Sequence, residues 1–84
     1  LRGRFVGLFP FVKPKPKYRR ALGETIRFYR KKSGWSQEKL AEKSELHPVY
    51  VSTVERGAKT ISVDALVRVA KALGVKARDL LEDV

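Results

Sequence analysis

At 84 residues the chain is one domain at most, near the lower size at which folding proceeds without staples, and it has no cysteine for a disulfide framework or zinc ribbon. Its core must come from apolar helix faces, for which 43% hydrophobic residues suffice. Nineteen Lys and Arg against nine Asp and Glu give a net charge of +10, which favours a polyanionic partner: nucleic acid first, an anionic membrane surface second.

No run approaches the roughly 18 apolar residues of a membrane span. The single histidine, His47, cannot make a metal site alone, so neither metal nor cofactor is expected. The acids are scattered over amphipathic segments and offer no nucleophile–base pair or carboxylate cluster, which argues against an enzyme.

Residues 1–18 differ from the rest and are read as an extended apolar and basic arm. Phe5 to Val12 is apolar and interrupted by Gly7 and Pro10. Lys13-Pro14-Lys15-Pro16-Lys17 then alternates proline with charge, a pattern that favours polyproline II and opposes helix. Arg2 and Arg4 ahead of the apolar stretch suggest a signal peptide, but the stretch is short and no small-residue cleavage site follows.

From Arg19 the apolar period becomes helical, and residues 19–84 are read as the folded domain. Leu22, Ile26 and Tyr29 share a face of a first helix, about Arg20–Ser33, stopped by Gly34. Ser36 is a natural N-cap for a second helix over Gln37–Ser44, with Glu38 in its first turn. Glu45-Leu46-His47 breaks the chain before Pro48, which suits the first position of a third helix ending at Gly57. Ser62 caps a fourth helix closed by Gly74, and Val75 and Lys76 start a short fifth with Leu80 and Leu81. The expected core is Leu22, Ile26, Trp35, Leu40, Ala41, Leu46, Val51, Val54, Leu66, Val69, Ala70, Leu73 and Leu80. The leftover apolar residues Ile61, Val63, Val67, Leu81 and Val84 mark a dimer interface.

Gln37 to Arg56 carries the strongest signal. Two helices crossing steeply over a short turn need a small residue at closest approach, Ala41, an apolar plug in the corner, Leu46, and branched residues on the second helix, Val51 and Val54. Trp35-Ser36-Gln37-Glu38-x-Leu40-Ala41, Val54-Glu55-Arg56-Gly57 and Ala70-Lys71-Ala72-Leu73-Gly74 occur in that order. With these motifs the stretch from Ala21 to Leu81 resembles the Cro/C1-type (Xre-like) helix-turn-helix family, which includes phage repressors and restriction–modification controller proteins. The resemblance implies an all-α, five-helix, lambda-repressor-like bundle. It also implies a cytoplasmic, nucleoid-associated transcriptional regulator that binds a palindromic double-stranded operator as a homodimer.

Position by position, the resemblance places Ser36, Gln37, His47, Pro48, Val49, Tyr50, Ser52, Thr53 and Arg56 on the DNA-facing surface, with the third helix in the major groove. Pro48 and Val49 cannot make the bidentate hydrogen bonds of the Gln or Arg common there, but they can touch a thymine methyl. Tyr50, Ser52 and Thr53 are polar readers of bases or phosphates. His47 either donates to DNA or only caps its helix; Arg56 either reaches DNA or satisfies the helix C-terminus. The resemblance makes Gln37 a phosphate clamp that also braces the third helix, beside a helix N-terminus capped by Ser36, whereas Lys39, Lys43 and Lys59 read as solvated charge. Arg30 and Glu55 match a structural ion pair of the family.

Three departures stand out. Glu45 occupies a left-handed turn position where relatives usually have Gly, at a cost of about 1 kcal/mol. Ile61 replaces a common Pro, as in the controller branch. Phe28 sits at an outward position where relatives carry charge, and the arm's Phe5, Leu8, Phe9 and Phe11 are candidates to cover it, in the same chain or a neighbouring one. The competing reading is a helix-turn-helix protein-interaction or antitoxin module with DNA binding secondary.

Overall fold

The computed structural model describes residues 16–84 and, among them, five helices and no strand. They are α1 (Lys17–Lys32), α2 (Gln37–Ser44), α3 (Pro48–Glu55), α4 (Val63–Leu73) and α5 (Ala77–Leu80). None is long and apolar enough to cross a membrane. The readings made for residues 1–15 lie outside the described residues.

Caps set most of the boundaries. Ser36 accepts from the Lys39 backbone N–H at 3.0 Å and Ser62 from that of Ala65 at 3.1 Å, each filling one of the donors a helix start leaves open. Gly34, Gly57 and Gly74 take positive φ after their helices. The first helix opens three residues before the expected Arg20. Pro16 takes the N-cap place at φ −59° and ψ 141°, and its carbonyl accepts from the Arg19 N–H at 3.0 Å. Proline therefore keeps residue 16 out of the helix but not Lys17, since the first-turn N–H groups need no intrahelical acceptor. The fifth helix starts at Ala77, two residues after the expected Val75, because Lys76 is its extended N-cap, with Asp79 accepting from the Lys76 N–H at 2.9 Å.

Helix α2 packs on α3 and α4, α1 crosses α3, and α5 closes the bundle against α4 and α1. Ile26, Leu40 and Leu80 lie at the centre, each at most 1% exposed. Two expectations about the core need correction. Trp35, Leu46 and Leu73 pack against it from its edge and are only half-buried. Ile61 was assigned to an interface but is buried beside Ala65, whose burial was not anticipated. The loop before α4 turns Ile61 inward to fill the corner lined by Leu46, Tyr50, Val51 and Val69. Val63, Val67, Leu81 and Val84 do remain exposed.

Gly23 brings α1 down onto the end of α3. A Cβ there would stand 2.5 Å from the carbonyl oxygens of both Val54 and Glu55, so only hydrogen fits. Where α2 ends, Glu45 keeps the left-handed backbone, φ 59° and ψ 44°, and the Leu46 N–H donates back to the Ala41 carbonyl at 2.8 Å. The turn is thus not reshaped by its side chain.

Candidate nucleic-acid interface

The close crossing at Gly23 delivers Glu55 to a buried site between three elements. Arg30 grips it with two parallel hydrogen bonds, Nε to Oε2 at 2.6 Å and Nη2 to Oε1 at 3.0 Å, while Nη1 donates to the Trp35 carbonyl at 2.8 Å. The side chains are only 9% and 2% exposed. This is the pairing expected from the motif positions. A buried charge pair contributes little net stability but penalises any arrangement that separates it. Gln37 is the third member: its Nε2 donates to Glu55 Oε1 at 2.9 Å, the bracing of the third helix that the resemblance implied. The α1–α3 pair therefore also fixes the side chain at the start of α2. Gln37 stands beside Ser36, which is exposed and caps the same helix end.

The start of α3 is built differently. His47 is its N-cap, and Nδ1 accepts from the Val49 N–H at 3.0 Å. In the neutral ring this leaves the Nε2–H as an outward donor. Capping and donation, posed as alternatives, are compatible. Pro48 and Val49 are exposed, Val49 at 64%, and present only apolar surface.

Further along α3, each polar group has an internal partner. Thr53 Oγ1 donates to the Val49 carbonyl at 2.7 Å, so its oxygen is left as an acceptor. Arg56 Nη1 donates to Ser52 Oγ at 3.1 Å, and Arg56 is the C-cap residue. Tyr50 is half-buried; its hydroxyl accepts from the Ser62 N–H at 3.0 Å, with Lys59 Nζ 5.9 Å from its ring centre. The tyrosine braces the loop before α4, and its O–H proton is not consumed by that contact. This link between α3 and Ser62 had no signature in the sequence, because the residues lie twelve apart on different elements.

Ser36 and Gln37 thus gather at one helix end and His47, Pro48 and Val49 at another, with Ser52, Thr53 and Arg56 continuing along α3. Lys39 pairs with Glu42 at 3.6 Å on exposed surface, in keeping with solvated charge. One functional neighbour went unseen. Arg68 on α4 donates to the Glu45 carbonyl at 3.3 Å and pairs with Asp64 at 3.2 Å, anchoring the turn that sets the α2–α3 angle. The i, i+4 pairing was visible as a pattern, but the cross-element reach was not.

The arrangement of α2, turn and α3 has close counterparts. A helix-turn-helix family model matches residues 26–80. The control protein C.BamHI of Bacillus amyloliquefaciens is 45% identical over 62 residues, 73% of this chain and 76% of that protein. The crystal structure of the restriction-modification controller protein C.AhdI from Aeromonas hydrophila superposes with a TM-score of 0.76 at 35% identity, covering 77% of this chain and 98% of that one. SinR, the master regulator for biofilm formation, solved in complex with DNA, gives a TM-score of 0.69 at 36% identity over 71% of this chain and 97% of that one. By motif, fold and similarity alike, this chain belongs to the Cro/C1-type helix-turn-helix family.

Proposed function

We propose that the protein is a cytoplasmic transcriptional regulator of the restriction–modification controller type, binding a two-fold symmetric double-stranded DNA site as a homodimer. The observation that carries the reading is the bracing of Gln37 by the buried Arg30–Glu55 pair. A surface amide tethered to a buried carboxylate is positioned before any ligand arrives, and it stands at a helix start whose backbone N–H groups favour phosphate. With that helix end docked on the DNA backbone, α3 enters the major groove.

There Pro48 and Val49 supply apolar contact to thymine methyls, and Thr53 supplies an acceptor to an exocyclic amine. His47 Nε2–H, the Tyr50 O–H and Ser52 donate or accept at bases or phosphates, and Arg56 adds charge at the helix end. Ser36 and Gln37 contact phosphate and carry no sequence information themselves. One eight-residue helix spans too few base pairs for a unique site in a genome. Two copies about 34 Å apart double the reading frame, and the exposed Val63, Val67, Leu81 and Val84 form the surface through which they pair.

The likeness to C.BamHI and C.AhdI supports the controller assignment, and the likeness to the DNA-bound SinR supports the docking mode. In vitro selection from random duplexes followed by footprinting tests it. Enrichment of an inverted repeat with half-sites one helical turn apart is expected. Recovery of no consensus, with binding that is only salt-sensitive and sequence-blind, would overturn it.

A further inference from the structure

Three helices start with an N-cap side chain that accepts a backbone hydrogen bond, and only α3 has one that a proton can remove. Ser36 and Ser62 cap α2 and α4 with hydroxyl oxygens, which do not titrate. His47 caps α3 with an imidazole nitrogen, Nδ1, 3.0 Å from the Val49 nitrogen. Pro48, at the first helical position, has no N–H, so Val49 carries the first backbone donor of α3 and His47 supplies its acceptor. A protonated imidazole bears hydrogen on both nitrogens and has no lone pair to offer. Two N–H groups would then face each other, and the ring has to leave the cap. His47 is exposed, so it is free to turn away. The titratable and charged groups around it are Glu45 in the turn, Tyr50 on α3, Lys59 in the loop before α4 and Asp64 on α4, all lining one open groove. Both carboxylates are engaged by Arg68, Glu45 at 3.8 Å and Asp64 at 3.2 Å, and Lys59 Nζ stands 5.9 Å from the Tyr50 ring centre.

We infer, resting on the DNA-bound α3 proposed above, that His47 is a proton-operated positioning residue for base reading. Neutral, it holds the first turn of α3 in the form that meets base edges; protonated, it frees that turn and acts as charge beside the DNA backbone. Histidine is the side chain whose charge ordinarily changes between pH 5 and 8, and this chain has one histidine and no cysteine. The sign follows from what each kind of complex uses. Non-specific binding draws on net charge and gains from an imidazolium. A specific complex gains the same charge, but it must also hold Pro48 and Val49 against bases on a helix start that has lost its cap. Non-specific affinity therefore rises as pH falls, while the ratio of specific to non-specific affinity drops.

The test measures binding of the full chain to the duplex enriched by in vitro selection and to a scrambled duplex of the same length and composition, from pH 8 to pH 5.5 at constant ionic strength. The affinity ratio should fall by about fivefold per half-site, the usual worth of one N-cap. His47→Asn keeps a capping oxygen that does not titrate, so its ratio should stay level across the range. His47→Ala should be level too, but low throughout. In the free chain, the Val49 amide should titrate together with the His47 ring by NMR, with the Leu40 and Leu80 amides unmoved as the sign of an intact fold. A parental ratio that stays level to pH 5.5, an equal fall in His47→Asn, or a Val49 amide that ignores the ring would each overturn the inference. A parent that discriminates between the duplexes at no pH would instead overturn the DNA-reading role of α3, and the Val49 amide, measured without DNA, would then decide the cap.

Discussion

Arg68 on α4 donates to the backbone carbonyl of Glu45, 3.3 Å away, and so holds the one non-glycine residue among those described that adopts a left-handed backbone. The two side chains also approach, Nη1 to Oε1 at 3.8 Å, but both are largely exposed. An exposed pair contributes about 0–1 kcal/mol, whereas the left-handed backbone costs a side chain about 1–2 kcal/mol. Glu45→Gly should therefore raise stability, by about 0.5–1 kcal/mol. Urea unfolding of the variant checks this. A lower midpoint would mean that Arg68 repays more than the backbone costs.

The buried pair separates stability from function. Arg30→Met leaves Glu55 charged, buried and without its guanidinium, a loss of about 3–5 kcal/mol. The double change Arg30→Met/Glu55→Leu removes the uncompensated charge and should recover most of that in chemical denaturation. It should not recover DNA affinity, because Gln37 then has no Glu55 oxygen to hold it. A double variant that binds DNA like the parent would show that the tether has no role.

Gly23→Ala tests the helix crossing. The added methyl meets two backbone carbonyls, which cannot rotate away, so α1 must lift from α3. Overpacking of this kind costs about 1–3 kcal/mol, and here it also displaces Glu55. Calorimetry should show a lower Tm, together with weaker DNA binding at a temperature where the variant is fully folded.

Much of this architecture is legible in the sequence for local reasons. Ser36, Ser62, Gly34, Gly57 and Gly74 act within a few residues of their own positions, so their effect on helix ends can be read in one dimension. Arg30 and Glu55 were legible through the family resemblance. What escaped depends on the third dimension. Ile61 is apolar in a loop, and nothing local tells whether such a residue faces a core or a partner. Trp35 looked central from its size, yet it packs at the edge of the core between α1 and α2, where its carbonyl serves Arg30. The Tyr50–Ser62 and Arg68–Glu45 contacts join separate elements and carry no spacing rule, while the Gln37 brace on the third helix was legible only through the resemblance.

Ile61 and Val63 lie two residues apart and should respond in opposite ways. Ile61→Ala should cost about 2–4 kcal/mol, as core truncations do. Val63 is 76% exposed, so Val63→Asp combined with Val67→Asp should leave unfolding of the monomer nearly unchanged. The same pair of charges should abolish self-association in sedimentation velocity and weaken binding to a two-half-site operator far more than to a single half-site. Dimers persisting in that variant would move the interface elsewhere.

Thr53 gives the sharpest test of base reading. Its hydroxyl proton is committed to the Val49 carbonyl at 2.7 Å, so towards DNA the oxygen can only accept. In the major groove, the donors available are the exocyclic amines of adenine and cytosine. Thr53→Ser keeps the acceptor and should keep the preference. Thr53→Val keeps the shape, loses the acceptor and should relax discrimination at one position in each half-site by about 1–3 kcal/mol. Gln37→Ala should instead weaken all sequences alike and leave the salt dependence unchanged, because a neutral amide releases no counterion from the phosphate it binds. Selection experiments on the three variants separate these effects. If Thr53→Val returns the parental sequence preference, the threonine does not read a base and its hydroxyl serves only the backbone of α3.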